Sequence, residues 1–180
     1  MSNPYEAGER RVIPAVLIYA RDAEGADADV LMLHRNGEKH ASGQDFHGGK
    51  WNGLGGKFEL GESPIQCARR EFFEEAGVDL PENAFVPLGV LQFPLFKPAK
   101  HEDWLVYVFS ARIRRDEPGL KRICPEGELA WVPAARVSEL NLWAGDRHFL
   151  PYVIERRSFW GTIWYERGAV ARTWIQLLNS

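Results

Sequence analysis

Apolar residues fall into short alternating or continuous runs along most of the chain, with one stretch of helical spacing among them. The run Val12–Tyr19 reads as a buried strand, with Pro14 predicting a bulge or a sheet edge near its start. Residues 22–27 are rich in Gly, Ala and Asp and read as a turn, and Val30–Leu33 is a second strand, so the two form a hairpin. Residues 35–50 are polar and rich in Gly and His, which predicts a long loop. A short strand is expected within Trp51–Glu59. Ser63–Ala76 is the clearest helix: Ser63 suits the N-cap, Pro64 the first turn and Gln66 a capping box, and Gly77 supplies a left-handed stop. Leu88–Phe96 and Trp104–Ile113 follow as aromatic strands. After a charged linker over 114–127 come a short strand at Leu129–Val132 and a helical turn near Ala134–Leu140. Asp146–Glu155 reads as a second helix whose start Pro151 restricts. Phe159–Tyr165 and Arg172–Leu178 close the sequence as strands. Strands with two or three helices, no repeat and no domain boundary predict an α+β fold, a mixed sheet packed between helices, with residues 1–10 loose.

Composition narrows the classes. At 180 residues, 45% hydrophobic and with seven Trp, the chain carries enough apolar surface for one sizeable core and is unlike a disordered segment. A net charge of −3 argues against a polyanion partner, so no stable nucleic-acid partner is expected. Cys67 and Cys124 form no C-x-x-C pattern and read as inert packing residues. No apolar run approaches about 18 residues and no signal segment opens the chain, which predicts no membrane span and a cytoplasmic location. The choice between monomer and homodimer stays open.

The chemistry concentrates in residues 56–78, GKFELGESPIQCARREFFEEAGV. Ile65, Ala68, Phe72 and Ala76 recur at helical spacing and make one apolar face. Glu71, Glu74 and Glu75 lie at i, i+3 and i+4, which gathers three carboxylates on a neighbouring face. Like charges at that spacing repel, so cations must offset them: Arg69 and Arg70 in part, bound divalent cations for the rest. An all-oxygen donor set favours Mg²⁺ or Mn²⁺ over Zn²⁺, and such an ion can neutralise a pyrophosphate and activate water.

This stretch resembles the Nudix box, G-x5-E-x7-R-E-U-x-E-E-x-G-U, with Gly56, Glu62, Arg70, Glu71, Glu74, Glu75, Gly77 and Val78 in place. Phe72 departs from the aliphatic first U position but keeps it apolar. The resemblance implies a single-domain Nudix α/β/α sandwich over residues 11–180, built on a mixed sheet with the loop-helix-loop of the box. It also implies a Mg²⁺-dependent hydrolase of phosphoanhydride bonds in nucleotides. Glu71, Glu74 and Glu75 then look like metal ligands, with the Gly55 carbonyl as a further one, Glu62 as an orienting partner of Arg70, and Lys57 near the phosphates. Glu126 and Glu128 are the downstream acids that resemble the family's extra base or ligand.

The flanks address the substrate. Trp51–Lys57, WNGLGGK, is similar to the MutT-type and mammalian-type oxidised-purine nucleoside triphosphatases, which implies a base contact for Asn52. Asn141–Asp146, NLWAGD, resembles the purine-pocket segment W-P-D-D of the mammalian type, which implies base stacking by Trp143 and a base-edge hydrogen bond to Asp146. Gly145 stands where that family has the first Asp. Hydrolysis of a nucleoside triphosphate to monophosphate and pyrophosphate is the leading expectation. Pro94 lies near a position that carries Pro in ADP-ribose-cleaving relatives, so ADP-ribose or a nucleotide sugar is the alternative. A catalytically silent binding module would be marked by lost box carboxylates, and none is lost. His40 and His47 fit no ligand spacing, and Lys97, Lys100 and His101 read as a basic hairpin tip.

Overall fold

Alternate residues of the first strand face two different cores. In this computed structural model, which describes residues 3–25, 28–36 and 48–178, that strand is β1 (Arg11–Arg21). The remaining strands are β2 (Asp29–Arg35), β3 (Trp51–Asn52), β4 (Val86–Lys97), β5 (Glu102–Arg112), β6 (Ile123–Cys124), β7 (Gly127–Pro133), β8 (Phe159–Glu166) and β9 (Ala169–Leu177). The helices are α1 (Pro64–Ala76) and α2 (Asp146–Ile154). His40 and His47 lie outside the described residues.

All described strands join one sheet in the order β6-β7-β2-β1-β5-β4-β8-β9, with β3 added beside β2. β1 runs parallel to β5, and β4 parallel to β8, while the other pairs are antiparallel, so the sheet is mixed. Val16, Ile18 and Ala20 of β1 join Leu31, Leu33 and Phe109 under Cys67, Ala68, Phe72 and Ala76 of α1. Ala15 and Tyr19 join Val30, Met32 and Val106 under Phe149, Leu150 and Val153 of α2. Period-two strands between two amphipathic helices therefore give the α/β/α sandwich. Burial of one such side chain, Phe72 for example, is worth about 1.5–3 kcal/mol.

Three expectations change. Pro14 neither bulges β1 nor lies at the sheet edge, because the β1–β5 ladder keeps one register from Arg11↔Glu102 to Arg21↔Arg112. Val16 and Ile18 send their N–H groups away from β5, to the oxygens of Gly56 and Leu54. Parity puts the missing N–H of Pro14 on that side, so no ladder bond is lost. The β1–β2 hairpin is likewise closed only at its turn end, Ala20↔Leu31 and Arg21↔Val30, since the 54–56 segment bonds β1 instead. Pro151 sits inside α2 rather than limiting its start, and the turn before that helix is a 3-10 turn over Ala134–Glu139. The opening segment forms hydrogen-bonded turns from Asn3 onward, and its Tyr5 and Arg10 bond Asp103.

Candidate active site

The loop wedged beside β1 brings a glycine pair onto the acidic side of α1. The helix is fixed at both ends: Ser63 Oγ accepts from the Gln66 N–H, Gln66 Oε1 accepts from the Ser63 N–H, and Gly77 turns left-handed at φ 77°. The Gly55 N–H donates to Glu75 Oε2 at 2.7 Å. A Cβ on Gly56 would lie 2.4 Å from Glu71 Oε1, so only glycine admits that carboxylate. Arg70 straddles the group. It donates to both oxygens of Glu62 at 2.7 and 3.0 Å, to Glu71 Oε1 at 2.8 Å, to Glu74 Oε2 at 3.4 Å and to the Lys57 carbonyl at 3.0 Å. Arg69, expected to share in the offset, pairs with Asp79 instead.

The three helical acids are not equivalent. Glu71 and Glu75 are buried, whereas Glu74 is exposed. Burial pushes Glu75 up to about 8, with Glu126 and Glu71 adding repulsion against the opposing Gly55 N–H. Glu71 is raised by burial against the pull of Arg70. Glu62 is held down at about 2 by its hydrogen bonds from Arg70. Glu75 Oε1 is buried with no hydrogen-bond partner, an orphaned oxygen that suits a cation. The donor set is hard oxygen without His or Cys. Among the described residues no three acidic, His or Cys groups already converge as a closed metal cage. An ion that completes its shell with phosphate oxygens and water does not require one.

One cavity of about 640 Å³ opens beside Arg70 and Glu71, while Glu74 and Glu75 are not among its described lining residues. Gly55, Arg70, Glu71 and Glu126 line it, and so do Asn52, Trp143 and Asp146, together with Lys57, Lys97 and Lys100. Glu126 pairs with Arg35 at 2.7 Å, and its charge reaches both Glu71 and Glu75. Glu128 is exposed on β7 opposite His34 and is not among the described lining residues, and neither is His101. Asn52 Oδ1 accepts from the Gly53 N–H at 2.9 Å. Asp146 opens α2 as a buried residue, with Gly145 in the cap position. Its Oδ2 has no partner, and burial pushes its carboxyl up to about 7 against the charge of Lys50.

The sequence reading missed the aromatic wall. Phe93, Phe96, Trp104 and Tyr165 line the cavity, and Phe96 packs against both Trp104 and Tyr165 at 5.4 and 5.2 Å between ring centroids. Lys57 and Lys97 lie over the Trp104 ring at 5.4 and 4.7 Å. The aromatic content of β4 and β5 was visible, but nothing local says which ring faces a cavity. The Gly145 departure also has a physical reason: a Cβ there would lie 2.2 Å from the Tyr165 hydroxyl.

Comparisons with known proteins agree with this geometry. The NUDIX domain family model matches residues 11–153. An oxidized purine nucleoside triphosphate hydrolase of Danio rerio is 30% identical over 116 residues, 64% of this chain and 70% of that protein. The mutator MutT protein of Bacillus halodurans superimposes with a TM-score of 0.72 at 25% identity, over 91% of this chain and 97% of that one. The NUDIX domain of Shewanella oneidensis NrtR, solved with ADP ribose, shares the fold with a TM-score of 0.59 at 16% identity, over 87% of this chain and 96% of that one. The mixed sheet between two helices, the acidic loop-helix-loop and these relatives together mark a hydrolase acting on phosphoanhydride bonds. The chain belongs to the Nudix hydrolase family. Among the described residues no helix is long and apolar enough to cross a membrane.

Proposed function

We propose that this enzyme uses Mg²⁺, with Mn²⁺ as a substitute, to hydrolyse a purine nucleoside triphosphate to monophosphate and pyrophosphate, an oxidised or otherwise modified purine being the class to test first. The observation that carries this reading is the continuity of one cavity from Glu71 and Arg70 to Asn52, Trp143 and Asp146. Glu71, Glu74 and Glu75, with the Gly55 carbonyl, would hold the cation. Bound there, it supplies charge neutralisation to the phosphoanhydride and acidity to a nearby water. The chain's own groups do the positioning. Arg70, anchored by Glu62, holds Glu71. The Gly55 N–H holds Glu75. Lys57 brings positive charge to the phosphate path, and Glu126, beside the box acids, is the further base or ligand. Trp143 stacks on the base, a contact worth roughly 1–3 kcal/mol. Asp146 and Asn52 read base edges, and the unpartnered Asp146 oxygen supports that role. Two free, buried cysteines are compatible with the reducing cytoplasm as the working compartment.

The test is a substrate panel with Mg²⁺: ordinary and oxidised purine triphosphates, ADP-ribose and dinucleoside polyphosphates, with products identified. Pyrophosphate and monophosphate from a purine triphosphate are expected. Efficient release of monophosphate plus sugar phosphate from ADP-ribose, with triphosphates inert, would overturn the proposal.

A further inference from the structure

Strand β4 leaves its ladder with β5 after Phe93↔Trp104 and rejoins it at Lys97↔Glu102. Pro94, Leu95 and Phe96 bulge out between these points. Leu95 takes φ 60°, a left-handed conformation that a leucine holds only where its surroundings fix it. The fixing group is Asp103 on β5. Its Oδ1 accepts from the Leu95 N–H at 2.6 Å and from Arg10 Nη2 at 2.5 Å. Its Oδ2 accepts from Arg10 Nε at 2.8 Å and from the Tyr5 hydroxyl at 2.7 Å. Burial alone would push this carboxyl up, but Arg10, the Leu95 N–H and Tyr5 together hold it down at about 2. The turned bulge delivers Phe96 onto Trp104 and Tyr165, inside the cavity. Tyr5 and Arg10 precede the segment matched by the family model, so the family match assigns them no role.

Resting on the reading of this cavity as the substrate site, we infer that the Pro94–Phe96 bulge is a fixed wall of the pocket. Phe96 meets the nucleoside part of the substrate, and Asp103, Arg10 and Tyr5 are positioning residues that hold it there. Without that clamp the bulge would relax and Phe96 would swing out of the wall.

The experiment pairs steady-state kinetics with amide hydrogen exchange over residues 93–101 on the full chain. Arg10→Ala should speed exchange in that segment and raise KM roughly tenfold, with kcat within about twofold. Arg10→Lys, which keeps the charge but loses the fork, should fall between. Phe96→Ala should reproduce the KM change without the exchange change. Unchanged exchange in Arg10→Ala overturns the clamp. Faster exchange with an unchanged KM overturns the role of the bulge in binding. A wild-type protein that turns over no nucleotide defeats the proposed substrate instead, while exchange still decides the clamp.

Discussion

Glu75 is an acid in a place that costs stability. It is buried, its Oε1 has no partner, and burial pushes its carboxyl up to about 8. A buried acid whose one oxygen is held only by the Gly55 N–H, and whose other oxygen has no partner, is explained by function. Glu75→Gln should therefore lower kcat by orders of magnitude and leave Tm in EDTA unchanged or higher, as calorimetry beside a turnover assay would read. A clear fall in Tm with turnover retained would make Glu75 structural. Gly56 gives the complementary case. Its backbone conformation is ordinary, but a Cβ there lies 2.4 Å from the Glu71 carboxylate. Gly56→Ala should shift that carboxylate and reduce kcat at least about tenfold, with only a few degrees lost in Tm. Near-normal turnover would separate Glu71 from the chemistry. Both acids were marked in the sequence by their spacing together with the box residues around them. Their inequality with Glu74 was not, because it depends on where the glycine loop packs.

At the scale of elements, the candidate site gathers the loop beside β1, the C-terminal half of α1 and the start of α2. The helix α1 was readable to its ends, because Ser63, Pro64, Gln66 and Gly77 are local signals. The start of α2 at Asp146 was readable too, but the reason a glycine precedes it was not. Gly145 occupies the cap position without a side-chain cap bond, and the reason is distant: Tyr165 on β8 places its hydroxyl where a Cβ would go. Gly145→Ala should destabilise the fold by about 1–3 kcal/mol through overpacking. In a Tyr165→Phe background most of that loss should vanish, since the clashing oxygen is gone. Denaturant melts of the two single variants and the double variant measure the coupling. Additive losses would mean that the α2 start yields by moving away, and that Tyr165 does not set residue 145.

At the scale of the whole molecule, the order of the strands was hidden from the sequence because pairing between distant segments leaves no local trace. Val12–Tyr19 reads as a strand, yet only the folded chain shows it parallel to β5 and bonded to the 54–56 loop. The same long-range logic ties two carboxylates to acid stability. Asp103 links the segment before β1 to β5 and the β4 bulge, and Glu62 links the box loop to α1 through Arg70. Burial opposes ionisation of Asp103, but its donors prevail and hold it at about 2, and Arg70 holds Glu62 at about 2. An acid whose folded pKa lies below its unfolded value near 4 stabilises the fold above that value. The contribution disappears as pH falls through the folded pKa. Stability should thus decline between about pH 4.5 and pH 2, read as a falling urea midpoint. Asp103→Asn should start lower at neutral pH and lose less across that window, because the group that titrates is gone. If that variant followed the wild-type slope throughout, Asp103 would not be among the charges that fold this chain, and the N-terminal anchor would rest on something other than ionic hydrogen bonding.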